Sequence, residues 1–397
     1  MDPQLHRRHV SSRRAHHRGH GRGSQTADQL SGHGAEPAGG HLTAAYDFAL
    51  PPELIAQHPA PERDGSRLLV LAGDHLVHAH FRELGTFLNA GDLLVLNETR
   101  VIAARLIGRR AVTGGRVELL LLHPAGATRY DPAAPRWIAL ARPARRLHPG
   151  DRVDFDGLGT AEIVGLHAEG MREIELQTSL PFEDFLARAG RLALPPYIHN
   201  DSAEAQERYQ TIFARVPGSV AAPTASLHFT GDVLRDVEAR GIDLARIVLD
   251  VGLGTFRPIA AERLDGHTMH SERYAIPTEA GARIEAALRE GRRVVAAGTT
   301  VVRALEGNIQ AHGRIVPGEG VTDLFITPGF QFRAVDAMIT NFHLPKSSLL
   351  VLVSAFAGRE RIAHAYAEAI AQRYRFFSFG DAMLIERTQP VPSGDEG

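Results

Sequence analysis

Two strand-to-helix junctions in this chain gather polar residues where substrate chemistry is expected. A strand-like run, Ala337–Thr340, delivers Asn341, Phe342 and His343 to a Leu344-Pro345 stop. Ser347 and Ser348 then stand where a helix N-cap is needed, ahead of the apolar run Leu349–Ala357. A second strand, Arg293–Gly298, ends at Thr299-Thr300, whose hydroxyls and helix-start N–H groups suit a carboxylate, hydroxyl or phosphate. Loops at such junctions commonly hold substrates in α/β folds. An Asn and a His that only satisfy exposed backbone would read the same. The buried strand after Gly91 ends in Asn97-Glu98-Thr99-Arg100, which is equally a capping turn. There is no cysteine, which excludes disulfides, thiolate metal sites and cysteine nucleophiles and leaves histidines and carboxylates as the proton carriers. His267 and His270 are three apart with no zinc-site pattern beside them, so no metal is expected. Asp250-Val-Gly252-Leu-Gly254 imitates the glycine-rich loop of a Rossmann-type methyltransferase, but the third glycine is missing and Pro258 would disrupt the helix expected there.

The elements that position these groups form a two-part pattern. A chain of 397 residues with 44% hydrophobic and 23% charged content has room for two domains and a sizeable core. The net charge of −2 gives no global sign of a nucleic-acid partner, so any RNA site is a local patch. No apolar run approaches the ~20 residues that span a bilayer. Residues 1–44, rich in His, Arg and Gly, cannot bury enough surface to offset ordering and are expected to be disordered, and 390–397 is expected to be a flexible tail. Helix–strand alternation over 45–105 and 193–389 predicts a discontinuous α/β catalytic domain. Between them, 106–192 carries short strands with Gly, Pro and Asp-Gly turns, which predicts an inserted small all-β, barrel-like domain. Within it, Ala141–Asp151 is locally basic and suited to phosphate contact, or else a solvated hairpin. Asp323–Thr327 reads as a short strand, Thr278–Arg289 and Arg359–Gln372 as helices, and Arg303 with Glu306 as an i,i+3 pair on a helix capped by the two threonines.

Several long motifs occur in one order: TDLFITPGF, VDAMITNFHLPKSSLLVLVSAFAG and YRFFSFGDAMLI near the C-terminus, AGTTVVRALE before them, and PGSVAAPTASLHF before those. They closely resemble the S-adenosylmethionine:tRNA ribosyltransferase-isomerase family of queuosine biosynthesis, from about Tyr46 to about Arg387. The resemblance implies that S-adenosylmethionine, a co-substrate, donates its ribosyl moiety to 7-aminomethyl-7-deazaguanine at a tRNA wobble position, with no metal or redox cofactor. Epoxyqueuosine-tRNA, adenine and methionine are the implied products, and a cytoplasmic monomer is the expected state. Under this resemblance His228, His270 and His343 are the candidates for proton transfer, with Asp336 as an orienting carboxylate. Thr299, Thr300, Arg303 and Asn341 position substrate, and Asn97, Thr99, Arg100 and Thr224 are further binding candidates. The HxMHxE element, matched by His267, His270 and Glu272, implies acid–base or hydrogen-bonding work. The sequence departs from the family pattern at Asp250, where the family usually has His, and at Ser226, where it has Gly. Those departures keep open a paralogue acting on a different acceptor. Also open are a catalytically silent RNA-binding protein and, third, a Rossmann methyltransferase.

Overall fold

Leu93–Asn97, Val294–Ala297 and Ala337–Asn341 are apolar at nearly every position, as strands covered on both faces must be, and all their residues are buried. The computed structural model describes residues 42–73, 75–126, 130–252 and 258–387. The expected disorder of residues 1–41, the expected flexible tail 390–397 and Gly254 of the glycine-rich run therefore lie outside the described residues.

The chain opens with β1 (Arg67–Ala72), β2 (His75–His80), β3 (Leu93–Asn97) and the short β4 (Thr99–Val101). There follow β5 (Arg105–Arg110), β6 (Arg116–Pro124), β7 (Arg136–Arg142), β8 (Arg152–Asp154), β9 (Thr160–Leu166), β10 (Met171–Gln177) and β11 (Gly190–Arg191). The remaining strands are β12 (Val216–Ser219), β13 (Asp243–Asp250), β14 (Glu272–Ile276), β15 (Val294–Ala297), β16 (Gly318–Thr322), β17 (Ala337–Asn341) and β18 (Ala382–Glu386). The helices are α1 (Phe182–Ala189), α2 (Ala203–Arg208), α3 (Gly231–Ala239), α4 (Thr278–Arg289), α5 (Thr299–His312), α6 (Ser348–Ala357) and α7 (Arg359–Ala371).

Nine strands form one mixed sheet in the order β16-β14-β13-β3-β15-β17-β18-β1-β2. Its centre, β13-β3-β15-β17, is parallel. Both faces are covered. Leu68 and Val70 enter a core with Phe81, Leu84, Val233 and Val237, while Leu69 and Leu71 of the same strand enter the opposite core with residues of α5, α6 and α7. This period-2 split follows from the pleat. Strands β5-β6-β7-β10-β9-β8 form an antiparallel sheet that the β5–β8 pairing closes into a barrel, with β11 added on β5. Leu106, Leu119, Trp137, Phe155, Ile163 and Phe185 fill it. The α/β and β-barrel architecture expected from the pattern is what the structure shows.

Several local expectations differ. Asp323–Thr327 is not a strand: β16 ends at Thr322, whose Oγ1 accepts from the Leu324 N–H at 3.3 Å and turns the chain. The threonines do not cap α5. They are its first two residues, and Gly298 occupies the cap at φ +107, a conformation that favours glycine. Arg303 does not pair with Glu306, whose carboxylate instead accepts from the backbone N–H groups of Arg333, Ala334 and Val335. By contrast α4 matches its expected span, and Ser347 caps α6 by accepting from Leu350 N at 3.2 Å.

Candidate active site

The parallel strands set their C-terminal ends along one edge of the sheet, the edge where α/β folds bind ligands. Asp250 ends β13, Asn97 ends β3, Thr299 and Thr300 follow β15, and Asn341 ends β17. Asp336 does not join them. It precedes β17 at the opposite end, a strand length of about 16 Å away. Its carboxylate accepts from Val294 N and the Arg387 guanidinium, both at 3.0 Å. The expected role of orienting a histidine is therefore replaced by one of tying β15 and the chain's last described residue to β17.

His228 is held by a hydrogen-bond chain that sets its tautomer. The Asn341 amide donates to the Phe377 carbonyl at 3.0 Å and to His228 Nε2 at 3.2 Å. Since Phe377 O can only accept, the Asn341 NH2 orientation is fixed and Nε2 must be the acceptor nitrogen. His228 Nδ1–H then donates to Ser66 Oγ at 2.8 Å, and Ser66 donates onward to Arg63 O at 3.3 Å. Both ring nitrogens are hydrogen-bonded, so in this arrangement His228 holds the Asn341 amide in place. Asn341 Oδ1 is left buried without a hydrogen-bond partner among the described residues. Asn341 lines a narrow pocket together with Tyr197, Thr224, His343 and Ser378. His343 donates through Nε2–H to Thr340 Oγ1 at 2.8 Å, because Thr340 itself donates to Asn341 O at 3.3 Å. That leaves Nδ1 as the nitrogen with the lone pair.

Burial pushes both histidines down to about 3, aided at His228 by the charges of Arg375 and Arg63. Each is neutral when folded, whereas an unfolded histidine titrates near 6.5. Below that value the unfolded state binds protons that the folded state refuses, so stability is complete above about pH 6.5 and falls as pH drops toward 3. The expected slope is about 1.4 kcal/mol per pH unit for each histidine. Urea midpoints of wild type and of a His228→Gln/His343→Gln variant between pH 6.5 and 5 check this; parallel curves would refute it.

A larger cavity, ≈ 460 Å³, lies between the barrel and the β13 end of the edge. Trp137, Tyr130 and Met171 wall it from the barrel side, and Gly218, Asp250, His270 and Arg273 from the sheet side. Its size suits a small-molecule ligand. Asp250 accepts from Thr99 Oγ1 at 3.2 Å, and Gly218, at φ +149, lets the backbone pass beneath: a Cβ there would meet Asp250 Oδ1 at 3.1 Å. Arg303 backs the cavity. Its guanidinium forms a buried ion pair with Glu272, donates to Leu324 O at 3.0 Å and to His270 O at 3.4 Å. Arg303 is thus a brace behind His270. Asn97 is a brace as well, since its side chain bonds Leu249 N, Leu249 O and Thr99 N. Arg100 is exposed on β4.

The model of a family described as queuosine biosynthesis protein matches residues 43–385. An S-adenosylmethionine:tRNA ribosyltransferase-isomerase of Symbiobacterium thermophilum is 52% identical over 343 residues, 86% of this chain and 98% of the relative. One of Gloeobacter violaceus is 50% identical over 346 residues, 87% and 96% of the two chains. The chain belongs to the S-adenosylmethionine:tRNA ribosyltransferase-isomerase family. A crystal structure of an S-adenosylmethionine tRNA ribosyltransferase from Thermotoga maritima is 36% identical, covers 86% of this chain and 99% of its own, and has a TM-score of 0.48; the assignment rests on the sequence matches.

Within this ribosyltransferase-isomerase fold the expected residues separate into two groups. His343, Asn341 and Thr224 line the narrow pocket, with His228 bonded to Asn341, whereas His270 and Asp250 line the large cavity, with Arg303 and Thr99 bonded to them. Thr299 and Thr300 lie between β13 and β17 on the same edge; Thr300 Oγ1 is buried without a partner among the described residues. Ser226 does not line either space: it is fully buried and its hydroxyl has no hydrogen-bond partner among the described residues. The residues that sequence reasoning missed are Ser66, Tyr197, Ser378 and the barrel aromatics Tyr130 and Trp137. Ser66 stands in the sequence between two arginines, Arg63 and Arg67. Those arginines are braces, with Arg63 donating to Leu227 O and Arg67 pairing with Asp381.

Proposed function

We propose that this protein transfers and isomerises the ribosyl moiety of S-adenosylmethionine onto 7-aminomethyl-7-deazaguanine in the wobble position of a tRNA anticodon. The products are epoxyqueuosine-tRNA, adenine and methionine. The observation that carries the reading is the match at 52% identity across 98% of a relative named S-adenosylmethionine:tRNA ribosyltransferase-isomerase. The chemistry needs a base for the acidic proton beside the sulfonium and a donor that helps adenine depart. His270 on the cavity wall and His343 with its free Nδ1 are the histidines suited to these tasks. Asn341, Thr224, Thr299 and Thr300 supply hydrogen bonds along the edge, and Thr99 presents Asp250 to the cavity. S-adenosylmethionine is consumed as a co-substrate, and the reaction calls for no metal or redox cofactor. The protein is proposed to act as a cytoplasmic monomer.

The test is mass spectrometry of one reaction containing the protein, S-adenosylmethionine and tRNA bearing the aminomethyl-deazaguanine base. Free adenine is expected together with an epoxycyclopentane adduct on the tRNA. Asp250, standing where the family usually has His, favours one other reading, a paralogue with a different acceptor. Folded protein that binds S-adenosylmethionine but yields neither product would overturn the proposal in favour of that reading. S-adenosylhomocysteine as product would mean a methyltransferase.

A further inference from the structure

The barrel carries a basic turn that the structure has stiffened. Strand β7 ends at Arg142, and a 3-10 turn, Ala144–Arg146, follows Pro143. Arg142, Arg145 and Arg146 are exposed, and none of their side chains makes an ion pair or hydrogen bond among the described residues. By contrast, Arg105 is paired with Glu118, Arg110 with Asp151, Arg136 with Glu175 and Arg152 with Glu162. The turn itself is braced from below. Arg172 is buried, and it donates to the carbonyls of Ala144, of Leu147 at 3.0 Å and of Met171 at 2.8 Å. A buried guanidinium is costly unless its donors are satisfied; here the surrounding backbone satisfies them, and the outcome is a rigid platform for three unpaired cations.

The position of that platform matters. Leu140 of β7 and Met171 of β10 are paired in register and both line the large cavity. Arg142 is two residues beyond Leu140, on the same strand face and about 7 Å along. Met171 is also one of the residues whose carbonyl Arg172 holds. A polyanion on the turn would therefore lie at the cavity rim, its phosphates on the arginines and a base able to reach inside.

We infer that the Arg142–Arg146 turn is an RNA phosphate-docking surface, which sets the nucleic-acid strand in register with the cavity. The inference rests on the proposed tRNA substrate. Guanidinium groups match phosphate geometry, and each phosphate neutralised contributes about 0.7–0.9 to the slope of log affinity against log salt.

The experiment measures tRNA binding by fluorescence anisotropy at several salt concentrations, for the full chain and an Arg145→Ala/Arg146→Ala variant. The variant is expected to bind about tenfold or more weakly at moderate salt, with the slope reduced by about 1–2. KM for tRNA should rise while kcat and S-adenosylmethionine affinity stay at wild-type values. An Arg145→Lys/Arg146→Lys variant should recover the salt slope. A double-alanine variant with unchanged thermal unfolding, tRNA affinity and slope would overturn the inference while leaving the proposed activity intact. Wild-type protein that binds no tRNA at all would overturn both.

Discussion

Replacing Arg303 by alanine is expected to lower the unfolding free energy by about 3–5 kcal/mol, the range for breaking a buried ion pair from one side. The side chains of Arg303 and Glu272 are each only 3% exposed. The truncation would leave the Glu272 carboxylate buried without the guanidinium and would strip Leu324 O and His270 O of a donor. Glu272 also accepts from Gly252 N at 3.3 Å, so the loss spreads to the segment that follows Asp250. Urea unfolding of wild type, Arg303→Ala, Glu272→Ala and the double variant forms a closed cycle. The double variant should be markedly more stable than the sum of single losses predicts, since no uncompensated charge remains in it. Additive losses would mean the two side chains do not depend on each other. Arg303→Ala is also expected to impair turnover at temperatures where it stays folded, because it holds the backbone of His270.

What the sequence reveals and what it hides divide along the line between local and non-local physics. The α4 span and the Ser347 cap are legible because helical spacing and capping are properties of neighbouring residues. The junction after β17 is legible for the same reason: an apolar run, then Asn341 and His343, then a proline stop. Asp336 misleads because its sequence distance from His343 is small while its spatial distance is a strand length. A strand separates its two ends, and nothing in residue type records which end faces substrate. The partnership of Ser66 with His228 spans 162 positions, beyond any local signal. Arg303 reads as pairing within its own helix, but its partner Glu272 lies 31 residues away on β14. The apparent strand Asp323–Thr327 fails because side chains claim its backbone first, with Thr322 Oγ1 taking Leu324 N and Arg303 taking Leu324 O. Asp250 is visible in the sequence only as a departure. Its place on the cavity wall, with Thr99 donating to it and Gly218 yielding room, requires the fold.

His228→Gln is expected to keep activity within about tenfold of wild type, while His228→Ala loses about a hundredfold, the scale on which a misplacement of 1 Å acts. Glutamine carries one acceptor and one donor group and cannot take up a proton near neutral pH. It can therefore receive the Asn341 amide and donate to Ser66, reproducing both contacts of the neutral imidazole. Alanine reproduces neither, and the Asn341 NH2 group would then rotate or seek another partner, moving the buried Oδ1 of a residue that lines the narrow pocket. Asn341→Ala should lose at least as much activity as His228→Ala, with little further loss when the two are combined, since both changes remove one positioned oxygen. The pH–rate profiles of wild type and His228→Gln should superimpose between pH 6 and 8, because burial holds this imidazole at about 3 and it does not titrate there. Steady-state adenine release, with thermal unfolding as the control for folding, decides the matter. If glutamine and alanine are equally inactive, and the glutamine variant has lost one limb of the pH profile, then His228 moves a proton and the Ser66–His228–Asn341 chain is the path it takes.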